Sequence, residues 1–109
     1  MKIKLIALDV DGTIRETGKP ISNRTMKAIS LLKGSGVIVA IATGRMAPSA
    51  INVWHELGIH SPLICHQGAL ILDPSTKKVL KHTPLSIESA IQALEILEDC
   101  EIDCMANYD

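Results

Sequence analysis

The sequence contains no phenylalanine, and Trp54 and Tyr108 are the only other large aromatic residues. That removes the stacking platforms a single-strand nucleic-acid binder uses and leaves the core to aliphatic side chains. An excess of charge is missing as well. Eleven Lys and Arg stand against twelve Asp and Glu, so there is no large basic face and nucleic acid is not expected as a partner. A charged fraction of 21% beside 47% hydrophobic residues is that of a folded chain, not a disordered one. No apolar run approaches a membrane span in length, and Asp9 interrupts the stretch after Lys2 and Lys4 too early for a signal-peptide core. Cys65, Cys100 and Cys104 are odd in number and not spaced as a disulfide framework, which suits reduced thiols in the cytosol. A cytoplasmic protein is therefore expected. With no CxxC or histidine beside Cys100 and Cys104, all three cysteines read as small buried hydrophobes rather than metal ligands.

What is present is a chain of 109 residues, one domain or part of a larger one. "KIKLIALDV" (2–10) and "GVIVAIATG" (36–44) are apolar runs without polar alternation, as in strands of a parallel sheet buried on both faces. Between them, Ser22 is a candidate N-cap, Met26, Ile29 and Leu32 form a helical stripe, and Gly34 and Gly36 stop it. Strand, helix, strand is a βαβ unit. Pro48 opens a second helix closed by Gly58, with Ala50, Val53, Trp54 and Leu57 expected to face the sheet. "PLICHQGALIL" supplies a third strand and, past Gly68, the beginning of another; "DPSTKK" then turns "ALIL" and "KVLKH" into a hairpin. Ser86 caps a last helix with Ile87, Ala90, Ile91, Leu94 and Leu97 on one face, and "IDCMAN" is expected to be a short strand. Pro84 and Ser86 punctuate the chain, so a boundary is expected there, with 1–84 forming a sheet domain and 85–109 beginning a second α/β unit.

Three polar clusters fall at the carboxyl ends of three successive strands: Asp9 to Thr13, Thr43 to Arg45, and His66 to Gly68. In an open α/β sheet the ligand crevice lies at those ends, so the clusters should converge. Two neighbouring carboxylates, Asp9 and Asp11, repel each other and ask for a cation or a shared proton; Mg²⁺ meets that need with hard oxygen ligands. Asp9 then suits a nucleophile attacking phosphorus, and Asp11 an acid and base. Gly12 and Thr13 bring backbone N–H groups toward a phosphate, while the Thr43 hydroxyl and Gly44 N–H suit a phosphoryl oxygen. The fork of Arg45 matches a second anionic group of the substrate or orients the phosphate. Asp11-Gly12 alone would read as a hairpin turn, but the polar "IRETGKPIS" that follows is no partner strand. His66 and Gln67 either reach a substrate or, for His66, satisfy the rim. His55, His60 and His82 are read as surface residues.

"LIALDVDGT", "AIATGR" and "ICHQGALIL", in this order and spacing, resemble the haloacid dehalogenase (HAD) superfamily, and within it the N-terminal part of the Cof-type phosphatases with an α/β cap, subclass IIB. The resemblance covers essentially the whole chain. It implies a Rossmannoid parallel sheet with helices on both faces, residues 1–84 as the N-terminal part of the core domain and 85–109 as the start of the cap. It also implies a Mg²⁺-dependent phosphomonoester hydrolase acting through an aspartyl phosphate on a small phosphorylated metabolite such as a sugar phosphate. Asp9 would be the nucleophile, Asp11 the acid/base and Thr43 a phosphate-binding hydroxyl. The Asp9 carboxylate and the Asp11 backbone carbonyl would hold the metal. Gln67 departs from the family's Asn before Gly-Ala. The family's later Lys and later acidic pair have no counterpart in these 109 residues, so the alternative is a catalytically incomplete piece that binds phosphate and metal without turnover. The family's sheet order leaves the first strand of such a piece as an apolar edge, so self-association or pairing with a C-terminal partner chain is expected.

Overall fold

The computed structural model describes residues 2–106. Strand β1 (Leu5–Leu8) is followed by helix α1 (Asn23–Gly34), strand β2 (Ile38–Ala42), helix α2 (Ala47–Leu57) and strand β3 (Leu63–Cys65). A tight 3₁₀ turn at His66–Gly68 leads to strand β4 (Leu70–Asp73), then strand β5 (Lys78–His82) and helix α3 (Ile87–Asp99). The five strands form one sheet in the order β1-β2-β3-β4-β5.

Strands β1, β2 and β3 run parallel, with Leu5 opposite Ile38 and Ile41 opposite Leu63, so their helical crossovers follow from the need to return each strand to the same end. The parallel sheet expected from the apolar runs is thus present over β1–β3. Strands β4 and β5 form the expected hairpin, antiparallel to each other, and β4 pairs antiparallel with β3, which makes the whole sheet mixed. A register shift lies between Ile71 and Leu72 in the hairpin.

Both crossover helices obey their sequence signals. The Ser22 hydroxyl accepts the Thr25 N–H at 3.1 Å, a cap of about 1 kcal/mol. Gly58 closes α2 in the left-handed conformation, φ 56°, where a side chain costs strain. Between the two, Lys33 near the end of α1 donates its ammonium to the carbonyls of Leu57 and Gly58, so one helix satisfies the C-terminus of the other.

The core lies on one face of the sheet. Val39 and Ile41 of β2, Leu63 and Cys65 of β3 and Leu72 of β4 pack with Ile29 of α1 and with Ala50, Val53, Trp54 and Leu57 of α2. The four α2 residues are those the helical spacing predicts. Trp54 is buried and donates its indole N–H to the Ser61 carbonyl at 2.8 Å, so its polar end is not stranded. Strand alternation sends Leu5 and Ile38 to the other face, and there they remain 54% and 52% exposed. The run 2–10 is therefore not buried on both faces as expected. β1 is one edge strand of the described sheet, β5 being the other, and both crossover helices lie over the opposite face from Leu5 and Ile38.

α3 forms as expected with its predicted cap, Ser86 accepting the Ser89 N–H at 3.1 Å; none of its residues is buried, and Ile87, Ile91 and Leu94 are exposed. Two further expectations change. No strand forms over 102–106, which pairs with no strand among the described residues; Asn107, the last residue of that predicted strand, lies outside them. Cys65 is buried, whereas Cys100 and Cys104 are exposed, because they follow α3 away from the core.

The difference between the helices is measurable. Leu57→Ala, a cavity in the core, should cost about 2–5 kcal/mol, whereas Leu94→Ala on α3 should stay within about 0.5 kcal/mol. Urea unfolding followed by Trp54 fluorescence reads both.

Candidate active site

The loop after β1 is built so that its carboxylates face outward. Val10 and Ile14 are 0% and 7% exposed and anchor the loop in the core, and the intervening chain turns tightly. The N–H groups of Thr13, Ile14 and Arg15 converge on the Val10 carbonyl at 3.1–3.3 Å, and the Gly12 N–H donates to the Arg15 carbonyl at 2.8 Å. Gly12 holds φ 79°, a region that disfavours any side chain. The N–H groups of Gly12 and Thr13, expected to point toward a phosphate, are thus spent inside the turn. What Thr13 turns outward is its hydroxyl, which donates to Asp9 Oδ2 at 3.1 Å.

The three strand-end clusters converge as their order along the chain predicts. Thr43 is buried; its N–H donates to the Ile64 carbonyl at 3.0 Å and its carbonyl accepts the Gln67 N–H at 3.3 Å. Its hydroxyl accepts the Arg45 N–H at 3.2 Å. The Arg45 carbonyl in turn accepts the His66 N–H at 3.0 Å, so backbone bonds pin the 66–68 turn to the end of β2. A Cβ at Gly44 would lie 2.3 Å from Gln67 Nε2, so the Gln67 amide rests where only glycine leaves room. His66 Nε2 accepts the Ala47 N–H at 3.2 Å and fastens the start of α2, the second of its two sequence readings. His55, His60 and His82 are exposed.

The charges are arranged unequally. Arg45 grips Asp11 with both arms of its fork, Nε to Oδ2 at 2.6 Å and Nη2 to Oδ1 at 2.8 Å, and its Nη1 donates to Ser49 Oγ at 2.9 Å. Arg15 Nε stands 3.8 Å from Asp11 Oδ1, too far for a hydrogen bond, and Arg15 Nη1 stands 3.9 Å from Glu56 Oε2. The Arg15 Nε is buried without a hydrogen-bond partner. Asp11's carboxyl is held below the ordinary aspartate value of 3.8, first by the Arg45 hydrogen bonds, against the opposing effect of burial, then by the charges of Arg45 and Arg15. The repulsion between two carboxylates is met at Asp11 by protein cations, and Asp9 remains exposed on its threonine. The spacing rules did not single out Arg15, Ser49 and Glu56. The signal was there: Arg15 follows Asp11 by four residues, and Ser49 follows Arg45 by four into α2.

A metal fits this donor set in kind. Among the described residues no group of three or more His, Cys, Asp or Glu forms a ready-made cage. The exposed Asp9 carboxylate is the kind of ligand Mg²⁺ uses when backbone oxygen, water and a substrate phosphate complete its shell.

The Arg45–Asp11 pair makes a pH prediction. Because Asp11 is depressed in the folded chain, its ion pair stabilises the fold fully above the ordinary carboxylate range and is lost as the pH falls through the lowered value. Carbon-detected NMR titration should find Asp11 below ordinary aspartate in the intact chain and raised in Arg45→Met.

Comparison with known proteins is consistent with this geometry. The family model for haloacid dehalogenase-like hydrolase matches residues 6–108. The chain is 29% identical over 109 residues to pyridoxal phosphate phosphatase YbhA of Escherichia coli, covering all of this chain and 40% of that protein. It is 32% identical over 99 residues to 5-amino-6-(5-phospho-D-ribitylamino)uracil phosphatase YitU of Bacillus subtilis, covering 90% of this chain and 37% of that one. The chain therefore spans well under half the length of these relatives. The structure of a haloacid dehalogenase-like hydrolase from B. subtilis superposes with a TM-score of 0.78 at 29% identity, over 91% of this chain and 34% of the other. With the family model covering nearly every residue and the same fold in a solved relative, the chain belongs to the haloacid dehalogenase-like hydrolase family.

Proposed function

We propose that this chain carries the nucleophile half of a Mg²⁺-dependent phosphomonoester hydrolase of the Cof-type, subclass IIB, acting on a small phosphorylated metabolite. The observation that supports it is the pairing of an exposed Asp9, steadied by Thr13, with an Asp11 two residues on that protein cations hold in place. Relatives named for pyridoxal phosphate and for a phosphoribitylamino-uracil support the substrate class, of which sugar phosphates are another member.

Thr13 occupies Asp9 Oδ2 and leaves Oδ1 to attack phosphorus. The new bond makes an aspartyl phosphate, and the bond from phosphorus to the ester oxygen breaks. Asp11, whose carboxylate the Arg45 fork keeps ionised, takes a proton from the water that attacks phosphorus, releasing phosphate and restoring Asp9, and passes that proton to the departed ester oxygen. The Thr43 hydroxyl and the Gly44 N–H would border the phosphate with Gln67 beside them, while the Gly12 N–H and the Arg45 fork, each already bonded within the protein, stand back from it. Mg²⁺, held by the Asp9 carboxylate and the Asp11 backbone carbonyl, would supply positive charge against the phosphate oxygens.

In this reading residues 1–84 are the N-terminal part of the core domain and 85–109 begin the cap, which agrees with α3 burying none of its residues. A cytosolic setting suits three cysteines that are free of disulfides. A second reading has its own observation: β1 is an edge carrying Leu5 half exposed, which supports pairing of the chain with a second copy of itself or with another chain along that edge.

Incubation with Mg²⁺ and an aryl phosphate, whose leaving group needs little acid help, tests the first reading. Phosphate release is expected, with a loss of at least about 10³-fold in Asp9→Asn; activity that survives the substitution removes Asp9 as nucleophile. Sedimentation velocity tests the second. A concentration-dependent rise in mass is expected, and a folded monomer at every concentration counts against it.

A further inference from the structure

Arg45 was expected to offer its fork to the substrate, yet the fork is already filled. Its Nε and Nη2 take the two oxygens of Asp11, and Nη1 takes the Ser49 hydroxyl. We propose that Arg45 is a positioning residue that fixes the Asp11 carboxylate from helix α2, with Arg15 as its second support. The inference rests on the reading of Asp11 as acid and base.

One hydrogen bond fixes where a carboxylate sits and leaves it free to turn. Two parallel bonds from a planar guanidinium also fix its plane, and with it the direction in which Asp11 presents its outer lone pairs.

The support is rigid. The Arg45 backbone is held on both sides, its N–H by the Thr43 hydroxyl at 3.2 Å and its carbonyl by the His66 N–H at 3.0 Å. Ser49, itself half-buried, sits in the first turn of α2, a helix anchored in the core by Ala50, Val53, Trp54 and Leu57, so the hydroxyl that orients Nη1 rides on a fixed helix.

The arrangement is doubled. Arg15, only 18% exposed in its side chain, faces Asp11 Oδ1 at 3.8 Å and is drawn back by Glu56 at 3.9 Å. Ser49 and Glu56 are seven residues apart, two turns along one face of α2. Two arginines, one from the turn after β1 and one from the end of β2, are thus braced by the same helix against one carboxylate. A substrate anion that drew Arg45 away would strip Asp11 of its only bidentate partner among the described residues.

Steady-state kinetics with Mg²⁺ and an aryl phosphate separate positioning from substrate binding. In Arg45→Lys, which keeps the charge and loses the fork, kcat is expected to fall about tenfold or more with KM within about twofold. Ser49→Ala and Arg15→Gln should show smaller falls of the same kind. A raised KM with kcat retained in Arg45→Lys would make Arg45 a substrate ligand and overturn the proposal. A second readout needs no turnover: the Arg45 Nε–H resonance at neutral pH should exchange slowly, vanish in Asp11→Asn and stay in place when inorganic phosphate and Mg²⁺ are added. A resonance that phosphate displaces as far as Asp11→Asn does overturns the proposal equally. Absence of wild-type turnover, or turnover that survives Asp9→Asn, defeats the hydrolase reading and leaves the resonance to decide the clamp.

Discussion

The bidentate pair between Arg45 and Asp11 joins the two loops on which the site depends. β1 and β2 lie side by side, and each ends in a turn free to splay from the other. At 2.6 and 2.8 Å the guanidinium ties those turns together, and its third nitrogen ties both to α2. The pair is part-exposed, so its worth as a surface ion pair is modest. Its value lies in geometry. It answers one of two adjacent negative charges with protein, and the other carboxylate, Asp9, is left exposed.

That asymmetry is set by hydrophobic burial before any charge acts. Val10 and Ile14 enter the core, and the turn between them is closed by three N–H groups on one carbonyl. With Val10 directed inward, its neighbours Asp9 and Asp11 have to face out. The apolar run and the acidic pair are thus one device: the residues that fill the core also aim the carboxylates. Replacing the loop's apolar anchors would disturb the site as surely as replacing its charges.

Much of this was legible in the sequence, and the failures have a common cause. The caps at Ser22 and Ser86, the glycine stop of α2 and the four inward residues Ala50, Val53, Trp54 and Leu57 all follow from local rules, because the chemistry that decides them lies within one turn of helix. The convergence of Asp11, Thr43 and His66 also followed, because parallel strands must all end at one edge of the sheet. Burial of β1 on both faces, a strand over 102–106 and burial of Cys100 and Cys104 did not follow. Each requires a neighbour that local pattern cannot supply, and among the described residues none packs there. The misplaced N–H groups of Gly12 and Thr13 failed for another reason: a tight turn consumes its own donors, and composition does not say which donors are left over.

The turn after β3 shows how little of such a site need be side-chain chemistry. His66 and Gln67 both adopt left-handed backbone, φ 51° and 55°, which costs each of them about 1 kcal/mol or more. The cost is offset where their N–H groups land, on the carbonyls of Arg45 and Thr43. These bonds belong to the backbone, so the residue type at 67 is free to vary while the turn stays docked. The glutamine here, longer by a methylene than the asparagine the family resemblance leads one to expect, is accommodated by the missing side chain of Gly44. The strain at 66–67 and the bare glycine at 44 are therefore two sides of one contact, which holds the third strand end against the second.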